Sequence, residues 1–391
     1  MKSKKLVIII CMLIVTAVFP FVISSVASDG NIIYVDDDAP TDWYDETHVK
    51  TIQEGIDISS DGDTIFVYSG TYFEHIIIGS KSITIQGENK ETTIIDGAEN
   101  DDVVTISNNN VIIREFTIRN SSNIRSGIYL NQFVAHITIS DNIILDNNHA
   151  IYAPYSTTGN LIISNNNINS NKYGITSYAN PITISSNEIY QDTKQICIEL
   201  FGINNSLITD NVLYSYKSGI VIYEGNNNII SHNNIYLKGG SLGKGIHLRL
   251  LGDNNIITYN NISGTTTKSG RGISLEMREA PSGELQGQEV SFNTISDLWG
   301  GVIIQYSPKN PRIWRNEIVN NNFIGTSRPG HFQNALGNKW YGNYWGNPKF
   351  TPYKISGSLQ FHNIRQTFTW FQVDLHPRLL PINIVENDLI I

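Results

Sequence analysis

The sequence predicts an all-β chain wound as a parallel β-helix, and three observations predict it. An Asn returns in one short phrase (apolar, two polar, Asn, any residue, apolar) at Asn142, Asn166, Asn187, Asn211, Asn233, Asn260, Asn293 and Asn316, at intervals of 21 to 33 residues. Self-similarity at such a period belongs to solenoids and arrays. A second phrase, Gly-apolar-any-apolar, lies upstream of the Asn phrase, as in Gly127-Ile128-Tyr129-Leu130, Gly219-Ile220-Val221-Ile222 and Gly272-Ile273-Ser274-Leu275. Its period-two alternation marks a short strand, so each period holds at least two. No amphipathic helical stripe interrupts them. The repeats amount to about 10–11 coils.

Stacked coils repeat at ~4.8 Å, so identical residues form columns. An Asn at the same place in each coil then bonds its neighbours above and below, which satisfies a buried amide. The eight Asn are therefore read as a structural ladder and not as a site. Asn-Asn pairs such as Asn227-Asn228 and Asn254-Asn255 fit turns that need positive φ.

The ends differ from the middle, as a solenoid requires. Residues 1–27 read as a secretory signal peptide: Lys2, Lys4 and Lys5, an apolar run from Leu6 to Ile23, then Ser25-Val26-Ala27. An uncleaved anchor through residues 6–23 is the alternative, since ~18 apolar residues can just span a bilayer. Residues 28–63 form an entry strand and a capping helix. There Thr51-Ile-Gln-Glu54 resembles a capping box, and Ile52, Ile56 and Ile58 line one face. Residues 64–337 form the coils, beginning with strands at 64–68, 76–78, 83–85 and 93–95. Residues 338–391 break the repeat with an aromatic-rich C-terminal cap, Asn338-Lys-Trp-Tyr-Gly-Asn-Tyr-Trp-Gly-Asn347.

The chain has 391 residues and a net charge of −9. Loss of residues 1–27 leaves 24 basic against 36 acidic residues, and so −12. That surface repels nucleic acid. Cys197 alone remains, which excludes an internal disulfide.

Several segments resemble one family. Tyr34-Val-Asp-Asp-Asp-Ala-Pro40, Thr51-Ile-Gln-Glu-Gly-Ile-Asp57 and Asp63-Thr-Ile-Phe-Val-Tyr-Ser-Gly-Thr-Tyr-Phe-Glu74 are similar to the entry of secreted β-helix repeat proteins common in archaea. Gly342-Asn-Tyr-Trp-Gly346 with Asp374-Leu-His-Pro377 is similar to their close. These are the NosD-like, right-handed β-helix proteins of the pectin-lyase-like superfamily, and the resemblance covers about residues 31–381. It implies right-handed winding, secretion and carbohydrate binding or processing, and its name-giving members assist copper-site assembly. Fold alone does not imply function.

Chemistry is expected on the outward face of the Gly strands, where enzymes of that superfamily usually place their sites. Aligning the Gly phrases gives one outward column of Tyr129, Tyr152, Thr176, Cys197, Val221, His247, Ser274 and Ile303. Beside it run Asn131, Pro154, Tyr178, Glu199, Tyr223, Arg249, Glu276 and Gln305, with Tyr155, Glu224 and Arg278 just beyond. Tyrosines beside carboxylates and Arg suit a sugar-binding strip, in which rings stack on sugars; a solvated sheet face rich in Tyr is the plainer reading. The candidate ligand-binding residues are Tyr152, Tyr155, Tyr178, Glu199, Tyr223, Glu224, His247, Arg249, Glu276 and Arg278. Charge gathers between residues 239 and 289, where the Asn spacing lengthens and loops are inserted.

Catalysis finds less support. Glu199 and Glu276 lie three coils apart, ~14 Å, too far for a glycosidase pair. Glu224 with Glu199 is one coil apart but offset. The motifs of polygalacturonases are absent in order, and a lyase lacks its acidic calcium cluster. Cu(I) wants soft ligands, and after cleavage only Met277 and Cys197 remain. No cofactor is expected, although Asp36, Asp37 and Asp38 offer oxygens that suit Ca²⁺. Sequons stand at Asn120, Asn204 and Asn261. The expected function is that of a secreted or cell-surface protein binding a polysaccharide or surface glycan without turning it over. The alternatives are a polysaccharide lyase or glycoside hydrolase, a structural surface module, or a copper-site assembly factor.

Overall fold

A computed structural model describes residues 30–382, apart from 155–158, 192–194, 240–242, 250–251, 266–268, 278–286, 307–311, 348–349 and 361–366. The first 27 residues lie outside it. Among the described residues, no helix is long and apolar enough to cross a membrane.

The chain is a parallel β-solenoid of about ten turns. Each full turn has three strands, in keeping with the expected minimum of two; the third follows the Asn phrase. One turn runs Ser126–Leu130, Ile137–Ser140, Ile143–Leu145 and then rises to His149–Ala153. We call the faces front, second and third in that order. Front strands pair in register, with Ile128 opposite Ile151, Ile151 opposite Ile175 and Ile175 opposite Ile198. The core is a stack of Ile, Val and Leu with one inward set per face, including Ile128, Ile139 and Ile144 in this turn. Alternation places their neighbours outside.

The helix forms as expected. Ile52–Ile58 carries both halves of the capping box, and Ile52 and Ile56 are buried over the first coil. Ile58 departs from the expected face and is about half exposed. The early strands are observed at Thr64–Val67, Ile76–Ile78, Thr84–Gly87 and Thr93–Asp96.

The Asn residues line corners, and three corners carry them. Between the second and third faces, Asn142 Nδ2 donates to Asn166 Oδ1 at 3.2 Å and to Ile113 O at 3.1 Å. The same bonds continue through Asn187, Asn211, Asn233, Asn260 and Asn293. The ladder then passes to Asn321 and Asn343, which the phrase did not mark, and ends on the buried carboxylate of Asp374. Asn316 is corrected: it precedes a second-face strand, Glu317–Val319, and belongs to the front-to-second corner. There Asn228, Asn255 and Gln288 bond in series, and Asn316 Oδ1 accepts from Gln288 N. A shorter ladder, Asn147 to Asn171, fills the third corner. The residue before the ladder Asn takes φ near +57°, as at Asp141, Asn165, His232, Asn227 and Asn254. Asn and Asp tolerate that region better than branched residues do.

At the far end Lys339–Tyr341 still pairs with Glu317–Val319. An antiparallel hairpin, Tyr353–Gln360 with Thr367–Asp374, closes the stack. Asp374 Oδ2 accepts from Asn343 N and from Trp345 Nε1. Trp345 stacks between Phe323 and Tyr353.

Candidate functional site

The pairing corrects one step of the expected columns. Glu199, not Cys197, stands beside Thr176 and Val221. Phe201 then stands beside Tyr223. Cys197 occupies the slot held elsewhere by Gly, is fully buried and has its thiol pushed up to about 12 by burial. The slot is tight: a Cβ on Gly174 would lie 2.2 Å from Cys197 O. Cys is small enough to stand in for Gly there, so the expected column, which put Cys197 on the outward face, misplaced this strand by two residues.

The first outward column is not a solvated face. Thr176, Val221, His247, Ser274 and Ile303 are all buried. Ser274 Oγ is buried and, among the described residues, has no hydrogen-bond partner. On one side of this floor runs a column that the sequence reading missed. Lys244, Arg271, Gly300 and Arg328 are register partners on four consecutive coils. Trp299 lies between the two arginines, with guanidinium carbons 5.8 Å (Arg271) and 5.0 Å (Arg328) from its ring. The missing side chain at Gly300 leaves room for Ile303 and for the Arg271 stem. A signal was present: the residue before the Gly phrase is Lys in one coil and Arg in the next.

On the other side run Tyr223, Arg249, Glu276, Gln305 and Gln333. Arg271 Nη1 donates to Gln305 Oε1 at 2.9 Å. Lys244, His247 and Glu276 meet across the floor. His247 Nε2 is 2.9 Å from Glu276 Oε2, and Lys244 Nζ is 3.2 Å from His247 Nδ1 and 3.5 Å from Glu276 Oε2. Lys244 Nζ also lies 2.9 Å from His247 Nε2, so the ammonium sits against both ring nitrogens, and a neutral imidazole protonated on Nε2 donates to Glu276. Burial pulls His247 down to about 4, against the raising bond to Glu276, so it is neutral at pH 7. Burial also pulls Lys244 down to about 8, with Glu276 opposing and Arg271 assisting. Burial depresses Arg271 and His331 as well.

The aromatic part of the strip is organised differently. Tyr178, Phe201 and Tyr223 stack on one another at 4.4 and 4.6 Å, and Arg249 covers the far face of Tyr223 at 4.7 Å. Tyr152 stacks on His149, which stacks in turn on Tyr173. Burial raises Tyr223, with the Arg249 bond opposing. Inner ring faces are thus taken up by neighbouring rings, not left for sugars. Glu224 sits in the turn after Tyr223 at φ 59°. Tyr155 and Arg278 lie outside the described residues.

The remaining candidates stand apart. Asp36, Asp37 and Asp38 converge with oxygens within 4.8 Å at the entry strand, far along the stack. Burial raises Asp36, while the Asp38 amide opposes this. An acidic cluster alone does not define a cation site. Asn120 Nδ2 donates to both oxygens of Asp96, Asn204 Nδ2 donates to Gly202 O, and Asn261 is exposed on the third face.

A parallel solenoid with a charged strip on its front face defines the class, and comparison with known families places the chain within it. Residues 56–235 and 197–350 match NosD, described as periplasmic copper-binding protein, and the chain belongs to that family. Comparison with curated proteins returns no match. Among solved structures it is similar to the A-module of the mannuronan C-5 epimerase AlgE4 from Azotobacter vinelandii. That match has a TM-score of 0.56 and 14% identity over 79% of this chain and 94% of the other. It is also similar to DFA-IIIase from Arthrobacter chlorophenolicus A6, with a TM-score of 0.50 and 12% identity over 75% and 84%. These likenesses concern the fold.

The copper of the family description does not fit the described residues. Cys197 and Met277 are both buried in the core. His247 and His331 share a column but lie three coils apart, ~14 Å. Among the described residues, the one cluster of potential ligands is the oxygen-only Asp36–Asp38 group, and Cu(I) prefers sulfur and imidazole.

Proposed function

We propose that this chain is an extracytoplasmic binding protein for an acidic polysaccharide, held along the front face between Lys244 and His331. The observation that carries the reading is the cationic column of Lys244, Arg271 and Arg328, interleaved with Trp299, on a chain of net charge −9. Arg forks suit carboxylates. The column spans ~14 Å, room for a short oligosaccharide. The periplasmic description of the family and the epimerase likeness are in keeping with this reading.

Affinity electrophoresis and calorimetry with polymannuronate, polygalacturonate and neutral glucan test it. Acidic polymers should bind with an affinity that falls as salt rises. Arg271→Gln with Arg328→Gln should weaken binding at least tenfold. Equal binding of neutral glucan, or an unchanged double variant, overturns it.

One observation favours a second reading, that of an enzyme on the same polymer. Lys244 at about 8 is partly neutral under mildly alkaline conditions and so has the makings of a base. Release of unsaturated or epimerised product from an acidic polymer, lost in Lys244→Met, would establish turnover.

A further inference from the structure

We propose that two copies of this chain pair end to end through the strand Thr367–Asp374. The strand pairs antiparallel with Tyr353–Gln360 along its whole length on one side. On its other edge, among the described residues, the pairing is Trp340 with Asp374 at the very end. The stretch from Thr369 to Val373 is Thr-Trp-Phe-Gln-Val, with no charge, Pro or Gly. Its large side chains stay about half exposed, at 51% for Trp370, 47% for Phe371 and 42% for Val373, with Lys354 lying over one face of the Phe371 ring. Edge strands are ordinarily blunted by Lys, Pro, a bulge or a cover, and an unblunted apolar edge is a template for another strand.

A second copy is the occupant that fits. An antiparallel pair of identical strands about a two-fold axis is self-complementary, so every contact occurs twice. It sets the Trp370 and Phe371 rows of one copy against those of the other, and cross-strand aromatic pairs are favourable. Charge also decides where two copies can meet. A chain of net charge −9 repels its twin along the flanks. The hairpin stands on the last coil, next to Arg328–Gln333. A tip-to-tip contact keeps most of the two acidic bodies beyond the ~8 Å over which charges are felt at physiological salt. The arrangement extends the long sheet of the stack into the second copy.

Sedimentation velocity on the full chain tests this, from micromolar to submillimolar concentration and at low and high salt. The expected result is a dimer that grows with concentration, is elongated, and is not weakened by salt. Thr369→Lys with Phe371→Lys sets like charges opposite one another and should return the chain to monomer. Hydrogen exchange on the unaltered chain gives a readout that needs no variant: amides at 369–373 should lose protection on dilution, while those of the inner coils keep it. A monomer at every concentration, a side-by-side dimer, or a dimer that survives the double Lys variant overturns the proposal.

Discussion

The corners and the front face of this solenoid use the same stacking in opposite ways. At the second-to-third corner the same residue type recurs coil after coil, and each amide completes its neighbour. On the front face between Lys244 and Gln333 the register partners change at every coil: His247, Ser274, Ile303, His331. Repetition serves stability there because identical columns satisfy one another. Variation brings unlike groups within bonding distance, as with Lys244, His247 and Glu276. The contrast teaches that function is to be sought where the column stops repeating.

The largest expected effect breaks the corner. Asn233→Leu removes the acceptor of Asn211 N and Nδ2 and the donor to Ile208 O and Ser231 O. Each orphaned buried group costs ~1–3 kcal/mol, so a total of at least ~3 kcal/mol is expected, read as a lowered melting temperature. Asn226→Ala, on an exposed Asn204–Asn226 pair, is the control and should cost below ~1 kcal/mol.

The strip responds to pH on two sides. His247 has its folded pKa depressed to about 4, so the unfolded chain takes up the proton first. Its contribution is complete above about 6.5 and is lost as pH falls from there toward 4, by as much as ~3 kcal/mol. Denaturant midpoints taken from pH 7 to 4.5 should fall more steeply for the native chain than for His247→Gln. Equal slopes would remove His247 from the account.

Lys244 sets the alkaline side of binding. It is depressed to about 8 and carries its charge below that value. Affinity for an acidic polymer should drop severalfold as pH rises from 7 to 9, and Lys244→Arg should abolish the drop. The smallest effect is expected at Tyr178→Ala, because its ring already stacks on Phe201. A change under about twofold in binding would fit stacked rings that brace the strip, whereas a tenfold loss would return sugar stacking to the tyrosines.

Much of the architecture could be read from spacing. The Asn and Gly phrases, the capping box at Thr51 and the aromatic close each follow from local residue choice, and the coils had little freedom once those were set. Asn321 and Asn343 escaped notice because Val319 and Tyr341 stand where the phrase has a polar residue, and Asn316 was counted although Trp314 breaks the phrase at the same place, which put it at the wrong corner. Cys197 misled the column because a small residue can replace Gly without announcing it.

The sequence by itself determined the winding, the ladder and the buried alternation, since a repeat of 21 to 33 residues with polar corners leaves few other ways to bury so many Ile side chains. Only the tertiary structure decided which residues share a site. Lys244, His247, Arg271, Glu276, Trp299 and Arg328 are spread over more than eighty residues, and they meet because strand pairing fixes register at the scale of single residues. A shift of one position turns a side chain from the outer face to the core. Backbone pairing across coils sets that choice, and no local phrase records it.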